Sequence, residues 1–211
     1  MNELVEYIRN NNFPVLFRYN DLLKTGLKKY LLNEFLVEAV KRKYIDNIYK
    51  DIYTLSRMYR RNLVCEGVLS QMIVPNSYVS LRYVLSDVLW IPESVYNITS
   101  ITNGTNLLIN TENFGSFKFI NIYKNIPVAG IYIENSSIGN YKRATPLRAL
   151  CDYVCLYEKK WDNIGYLEDH LRIMPESLEN LREKDFDELQ GVFKIHNIEN
   201  FLIGIRKELG L

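Results

Sequence analysis

Apolar residues Leu4, Val5 and Ile8 recur at helical spacing, and the asparagines at 10–12 then stop the helix before Phe13 and Pro14. Residues 15–18 are apolar enough for a short edge strand. Tyr19 or Asn20 then opens a brief helix through Leu22 and Leu23 that Gly26 ends. Beyond it, Leu27, Leu31, Phe35, Leu36, Ala39 and Val40 share one face of a third helix, leaving Lys28, Lys29, Asn33, Lys41 and Arg42 off that face. The phrase IDNIYKDIYTLS alternates as two short strands, turning either near Asp46 and Asn47 or near Lys50 and Asp51. Three helices followed by a two-stranded ribbon predict a winged helix-turn-helix over residues 1–61.

The segment SRMYRRN, with Arg57, Arg60 and Arg61, reads as a linker. After Pro75, Ser77 is placed to cap a helix that buries Val79, Tyr83, Val84 and Val88 and ends by Ile91 and Pro92. The period then shortens. Four β-rich runs at 95–101, 105–111, 116–122 and 128–134 are parted by Gly104, by Asn113 with Gly115, and by Pro127, which predicts an antiparallel meander. Residues 135–139 read as a turn and 141–144 as a last strand. Thr145 before Pro146 marks a helix start, with the hydroxyl as cap and proline where its missing N–H costs nothing; this helix is expected to reach about Lys159. Short helices follow at 165–171, 177–182, 185–189 and 198–209. The expected class is α+β, with residues 62–211 forming an α+β domain of antiparallel sheet and C-terminal helices.

Composition makes disorder untenable as the main state, since 47% of the 211 residues are hydrophobic. Net charge is only +1, but residues 1–61 carry 12 basic and 7 acidic side chains and the remainder 14 and 18. A basic module ahead of a mildly acidic one fits a reader of duplex DNA with an interaction domain behind it. On that reading Lys28, Lys29 and Asn33 contact base edges, because recognition helices meet bases through their N-terminal residues. Lys41, Arg42, Lys43 and Lys50 then hold phosphates. Glu34 and Glu38 on the same helix would repel phosphate if they faced a groove. The alternative is a protein-interaction module that neutralises a partner by contact, without DNA binding.

Catalytic chemistry has little to work with. The histidines are His170 and His196, no glycine-rich phosphate loop occurs, and Glu158 with Lys160 forms an E-x-K that chance explains. Cys151 and Cys155 fall on the apolar stripe of their helix without a histidine in reach, so they read as packing residues and no metal or cofactor is expected. Asp152 beside that stripe is expected to pair with a nearby arginine such as Arg143 or Arg148 for structural reasons. Three cysteines in all point to a reducing cytoplasm rather than a disulfide framework. The longest uncharged stretch, residues 94–111, is too rich in Asn and Thr to span a membrane, so no membrane association is expected.

Four stretches resemble the AbiEi family, the antitoxin half of abortive-infection (type IV) toxin–antitoxin operons. They are the N-terminal layout closing on Tyr53, Thr54 and Leu55, then SYVSLRYVLSDVLWIPESVYNITSIT, then NFGSFKFINI, then RATPLRALCDYVCL, together spanning roughly residues 2–160. Family wings usually turn through glycine, and this ribbon has none. The resemblance implies a transcriptional autorepressor that binds inverted repeats in its own promoter and self-associates there. It also implies an antitoxin that opposes a nucleotidyltransferase toxin without requiring a stable complex, with the second domain associated with that role.

Overall fold

A computed structural model describes residues 3–157 and 160–211. The chain is mixed α+β. Helix α1 (Glu3–Asn10) buries Leu4, Val5 and Ile8, the stripe that its spacing predicts. Strand β1 (Leu16–Arg18) leads directly into α2 (Tyr19–Leu22), which tightens into a 3₁₀ turn (Leu23–Thr25) and stops at Gly26 with φ of 78°. Helix α3 (Lys29–Lys41) buries Leu32, Leu36 and Ala39. The expected stripe is thus rotated: Leu27, Leu31, Phe35 and Val40 are half-buried at its margins. Two neighbouring apolar rows make both rotations compatible with the sequence, and the packing of α1 selects one.

Strands β2 (Ile45–Tyr49) and β3 (Ile52–Leu55) pair antiparallel, and β1 adds to β3 to give the order β1-β3-β2. The turn falls at Lys50 and Asp51, the second of the two positions that the alternation allowed. Lys50 takes the left-handed conformation, φ of 48°, that glycine would otherwise supply, and Asn47 Nδ2 donates to the Lys50 carbonyl at 2.8 Å. Alternation puts Ile45 and Ile48 on opposite faces and so in different cores, and a register shift between Asn47 and Tyr49 pairs Tyr49 with Ile52, bringing Tyr49 against the same core as Ile48.

Those cores divide this sheet between them. Phe17, Ile45 and Leu55 pack with α1 and α3, whereas Leu16, Ile48 and Ile52 belong to the larger core behind. Arg18 reinforces the seam by bonding Asp51 at 2.7 Å and the Met72 carbonyl.

The segment expected to be linker is followed by a helix the periodicity did not reveal, α4 (Glu66–Ile73). Gly67 lies so close to the Tyr141 ring that an added Cβ would sit 2.4 Å from it, so any side chain there would have to displace that ring. Ser77 does not cap a helix. Residues Tyr78–Val79 form strand β4, and α5 (Leu81–Asp87) starts two residues after Val79, burying Leu81, Val84 and Leu85.

The remaining strands are β5 (Ile98–Ile101), β6 (Leu107–Asn110), β7 (Ser116–Ile120), β8 (Ile131–Ser136) and β9 (Gly139–Ala144). Their order is β6-β7-β5-β4-β9-β8, and β5–β7 and β4–β9 are parallel. The antiparallel meander is therefore wrong. Strand positions were legible, but a two-residue strand at the sheet centre leaves no periodic trace, and its presence redirects every pairing around it.

Helix α6 (Pro146–Leu156) begins at Thr145, whose hydroxyl accepts the Arg148 N–H at 3.3 Å. It ends at Leu156, with Tyr157 in a turn, ahead of the expected end near Lys159; Glu158 and Lys159 themselves lie outside the described residues. Helices α7 (Gly165–Leu171), α8 (Pro175–Leu178), α9 (Glu183–Leu189) and α10 (His196–Glu208) complete the chain, with α9 and α10 packed on α6.

Candidate functional site

All seven nominated side chains are exposed. Lys28 is the extended residue that leads into α3, and Lys29 and Asn33 occupy its first turns. Lys41 ends the helix, with Arg42 and Lys43 just beyond. At 1.5 Å per residue the two basic groups stand about 20 Å apart along the axis.

Tyr19 joins α3 to the ribbon. Its N–H donates to the Asp51 carbonyl at 3.1 Å, and its hydroxyl donates to Asn33 Oδ1 at 2.5 Å. One tyrosine therefore links the ribbon turn, where Lys50 sits, to the first half of α3. The contact also orients Asn33, because with its oxygen occupied the amide presents its NH₂ outward. Lys50 Nζ lies 5.1 Å above the Tyr49 ring, which restrains it near the turn.

At the other end of α3, Arg42 bonds Glu38 at 2.9 Å, and Lys43 lies 3.7 Å from Glu112 in the β6–β7 loop. Both pairs are solvent-exposed, so each is worth about 0–1 kcal/mol and yields readily to a competing phosphate. The outward face of α3 is not wholly polar, because Tyr30 and Val37 are 63% and 69% exposed. Two acids flank the site with opposite shifts. The Arg18 backbone N–H holds the Asp21 carboxyl below its ordinary value, whereas burial pushes Asp46 up against the pull of Arg60 and Lys43.

The other polar centre lies inside the second sheet. Arg148 and Asp152 are both fully buried on α6. Asp152 Oδ1 accepts from Arg148 Nε at 2.9 Å and Tyr123 OH at 2.7 Å, and Oδ2 accepts from Tyr78 OH at 2.9 Å and Ser80 Oγ at 2.5 Å. The Arg148 Nη1 group donates to the Pro127 and Ala129 carbonyls, and Nη2 donates to Tyr78 OH. Burial alone would lower the Arg148 pKa, but the adjoining carboxylate turns the shift upward, and burial raises both tyrosine phenols. Four donors fill the carboxylate, which leaves no position for a reacting atom. Asp152 pairs with Arg148, as expected of that helix, while Arg143 pairs with Asp87 at 2.5 Å.

Cys151 is buried, which pushes its thiol up, and Cys155 is half-buried. Among the described residues, no three His, Cys, Asp or Glu side chains lie together so as to hold a metal. Neither helix α6 nor any other described helix is long and apolar enough to cross a membrane. His170 meets the Tyr166 ring edge-on, and His196 bonds Asn200 at 3.0 Å.

Sequence reasoning missed the role of Tyr19 and the seam between the ribbon sheet and the larger core. The seam had a local signal: Leu16 beside Phe17, and Ile52 beside Tyr53, place apolar groups on both faces of short strands. No family model and no curated protein matches the chain.

Proposed function

We propose that the N-terminal helices and ribbon form a winged helix-turn-helix that binds duplex DNA, with α3 in the major groove. The reading rests chiefly on the Tyr19 bridge, which holds Asn33 and the ribbon turn as one surface. Lys28, Lys29 and the Asn33 amide meet base edges, Lys50 meets a phosphate beside them, and Lys41, Arg42 and Lys43 meet phosphates about 20 Å along the helix. Because Ile48 and Ile52 are buried against the larger core, the ribbon meets the backbone through its turn, where Lys50 is exposed.

With the AbiEi resemblance, this surface makes the chain a promoter-binding autorepressor and the antitoxin partner of a nucleotidyltransferase. Mobility shifts on the chain's own promoter test the reading. K28A/K29A should weaken binding and relax its sequence preference, whereas K41A/R42A should weaken it uniformly and flatten the salt dependence by about one unit per lost phosphate contact. Wild-type affinity in K28A/K29A, or a wild-type slope in K41A/R42A, would reject it. Exposed Tyr30 and Val37 favour a second reading, in which α3 docks a protein partner. Co-purification with the neighbouring gene product, lost in Y30A, together with no promoter shift, would select it.

A further inference from the structure

Strand β8 is one edge of the six-stranded sheet, and among the described residues no strand lies beyond it. Thr145 N–H donates to the Gly130 carbonyl at 2.8 Å, and the β8–β9 register continues that pairing through Tyr132 with Arg143, Glu134 with Tyr141 and Ser136 with Gly139. Those residues turn their backbone groups toward β9, so Ile131, Ile133 and Asn135 turn theirs away from the sheet. Ile131 N–H is met by the Val128 carbonyl at 3.2 Å, whereas among the described residues no backbone carbonyl accepts from Ile133 or Asn135. We propose that this edge pairs antiparallel with β8 of a second copy of the chain, about a two-fold axis at Ile133.

Self-complementarity carries the argument, because an isologous contact must satisfy the same surface twice. With the axis at Ile133, the two copies exchange Ile133 N–H···O=C bonds, and each Asn135 N–H reaches the Ile131 carbonyl opposite. Tyr132 then lies directly across from Glu134 of the second copy. These two groups already suit each other within one strand, where the Tyr132 hydroxyl donates to Glu134 Oε2 at 3.0 Å. Arg143 is the next residue in that row, so the incoming carboxylate lies about 10 Å, backbone to backbone, from a cation. On the other face Ile133, which is 56% exposed, packs against its own copy. An axis at Glu134 would instead set two carboxylates face to face. The devices that keep edges apart are missing from β8, which holds no proline or lysine and keeps its register unbroken over six residues. The opposite edge, β6, offers four. This pairing does not depend on α3 meeting DNA.

Sedimentation equilibrium on the full chain from about 1 to 500 µM tests the proposal, and the chain should pass from monomer to dimer with a midpoint in the micromolar range or below. I133K sets two lysines face to face, and N135P removes an outward N–H without touching the bonds to β9. Each should raise the dissociation constant by about tenfold or more. Unchanged thermal midpoints identify the folded variants, and the register has a separate readout in oxidative cross-linking. Ile133→Cys should join two copies, whereas Asn135→Cys, about 14 Å from its symmetry mate, should not. A monomer at every concentration, a dimer unweakened in the folded variants, or cross-linking at 135 and not at 133 would overturn the proposal. A monomeric chain that captures the neighbouring gene product, with capture lost in I133K, would give the edge to a foreign strand and overturn self-pairing as well.

Discussion

Arg148 and Asp152, one turn apart on α6, form an ion pair with no solvent exposure, and besides Arg148 the carboxylate accepts from three hydroxyls of the second sheet and the segments next to its strands. Tyr78 and Ser80 come from β4 and its end, Tyr123 from the segment after β7, and the Pro127 and Ala129 carbonyls from the loop before β8. The pair thereby gathers strands that are distant in sequence.

Removing one partner should be far worse than removing both. Arg148→Met leaves a buried carboxylate unpaired and should cost about 3–5 kcal/mol in urea unfolding. Arg148→Met with Asp152→Leu should cost less than that single change. A double variant at least as unstable as R148M would mean that the surrounding tyrosines, not the charge pair, dominate the centre.

Tyr19→Phe deletes one hydroxyl and frees Asn33. Stability should change by no more than about 1.5 kcal/mol, the net worth of one hydrogen bond. Promoter affinity should nevertheless drop several-fold, because an unrestrained Asn33 must be ordered on binding. Equal affinity in Y19F would remove the bridge from the recognition surface.

Lys50→Gly separates folding from binding at the ribbon turn. Glycine accepts the positive φ without steric cost, so unfolding midpoints should hold or rise by up to about 1 kcal/mol. The same change removes a phosphate contact and should flatten the salt dependence of promoter binding by about one unit. A marked loss of stability would contradict the turn geometry.

Asp21 gives the N-terminal unit a defined acid sensitivity. Its carboxylate accepts the Arg18 N–H at 2.9 Å, and its folded pKa lies below the ordinary 3.8. Its contribution is therefore full above about pH 4 and is lost as pH falls through the lower folded value. Asp21→Asn should reduce stability by about 1 kcal/mol or less at pH 7, with the difference from wild type closing toward pH 3. A difference that persists undiminished at pH 3 would assign the effect to packing.

Ile52→Ala tests the seam. Ile52 is buried in the larger core although it lies on the ribbon, so truncation should cost about 2–5 kcal/mol. It should also expose the segment near Arg60 to protease ahead of global unfolding. Protection equal to wild type would indicate that Arg18, bonded to Asp51 and Met72, holds the seam alone.

Local patterning by itself determined the elements whose signals are local: the α1 stripe, the stop at Gly26, the ribbon strands, the Thr145–Pro146 start of α6 and the C-terminal helices α7, α9 and α10, whereas the helix expected at 177–182 is instead the single turn Pro175–Leu178. It also placed the seven polar residues around α3 at the surface, since a residue off the apolar face has few other places to go. Tertiary structure alone decided the rotation of α3, the parallel pairings about β4, the burial of the ribbon's second face and the partners of Arg148. Each of those joins groups separated by tens of residues, and the free energy that selects them comes from excluding water between surfaces that no short window of sequence contains.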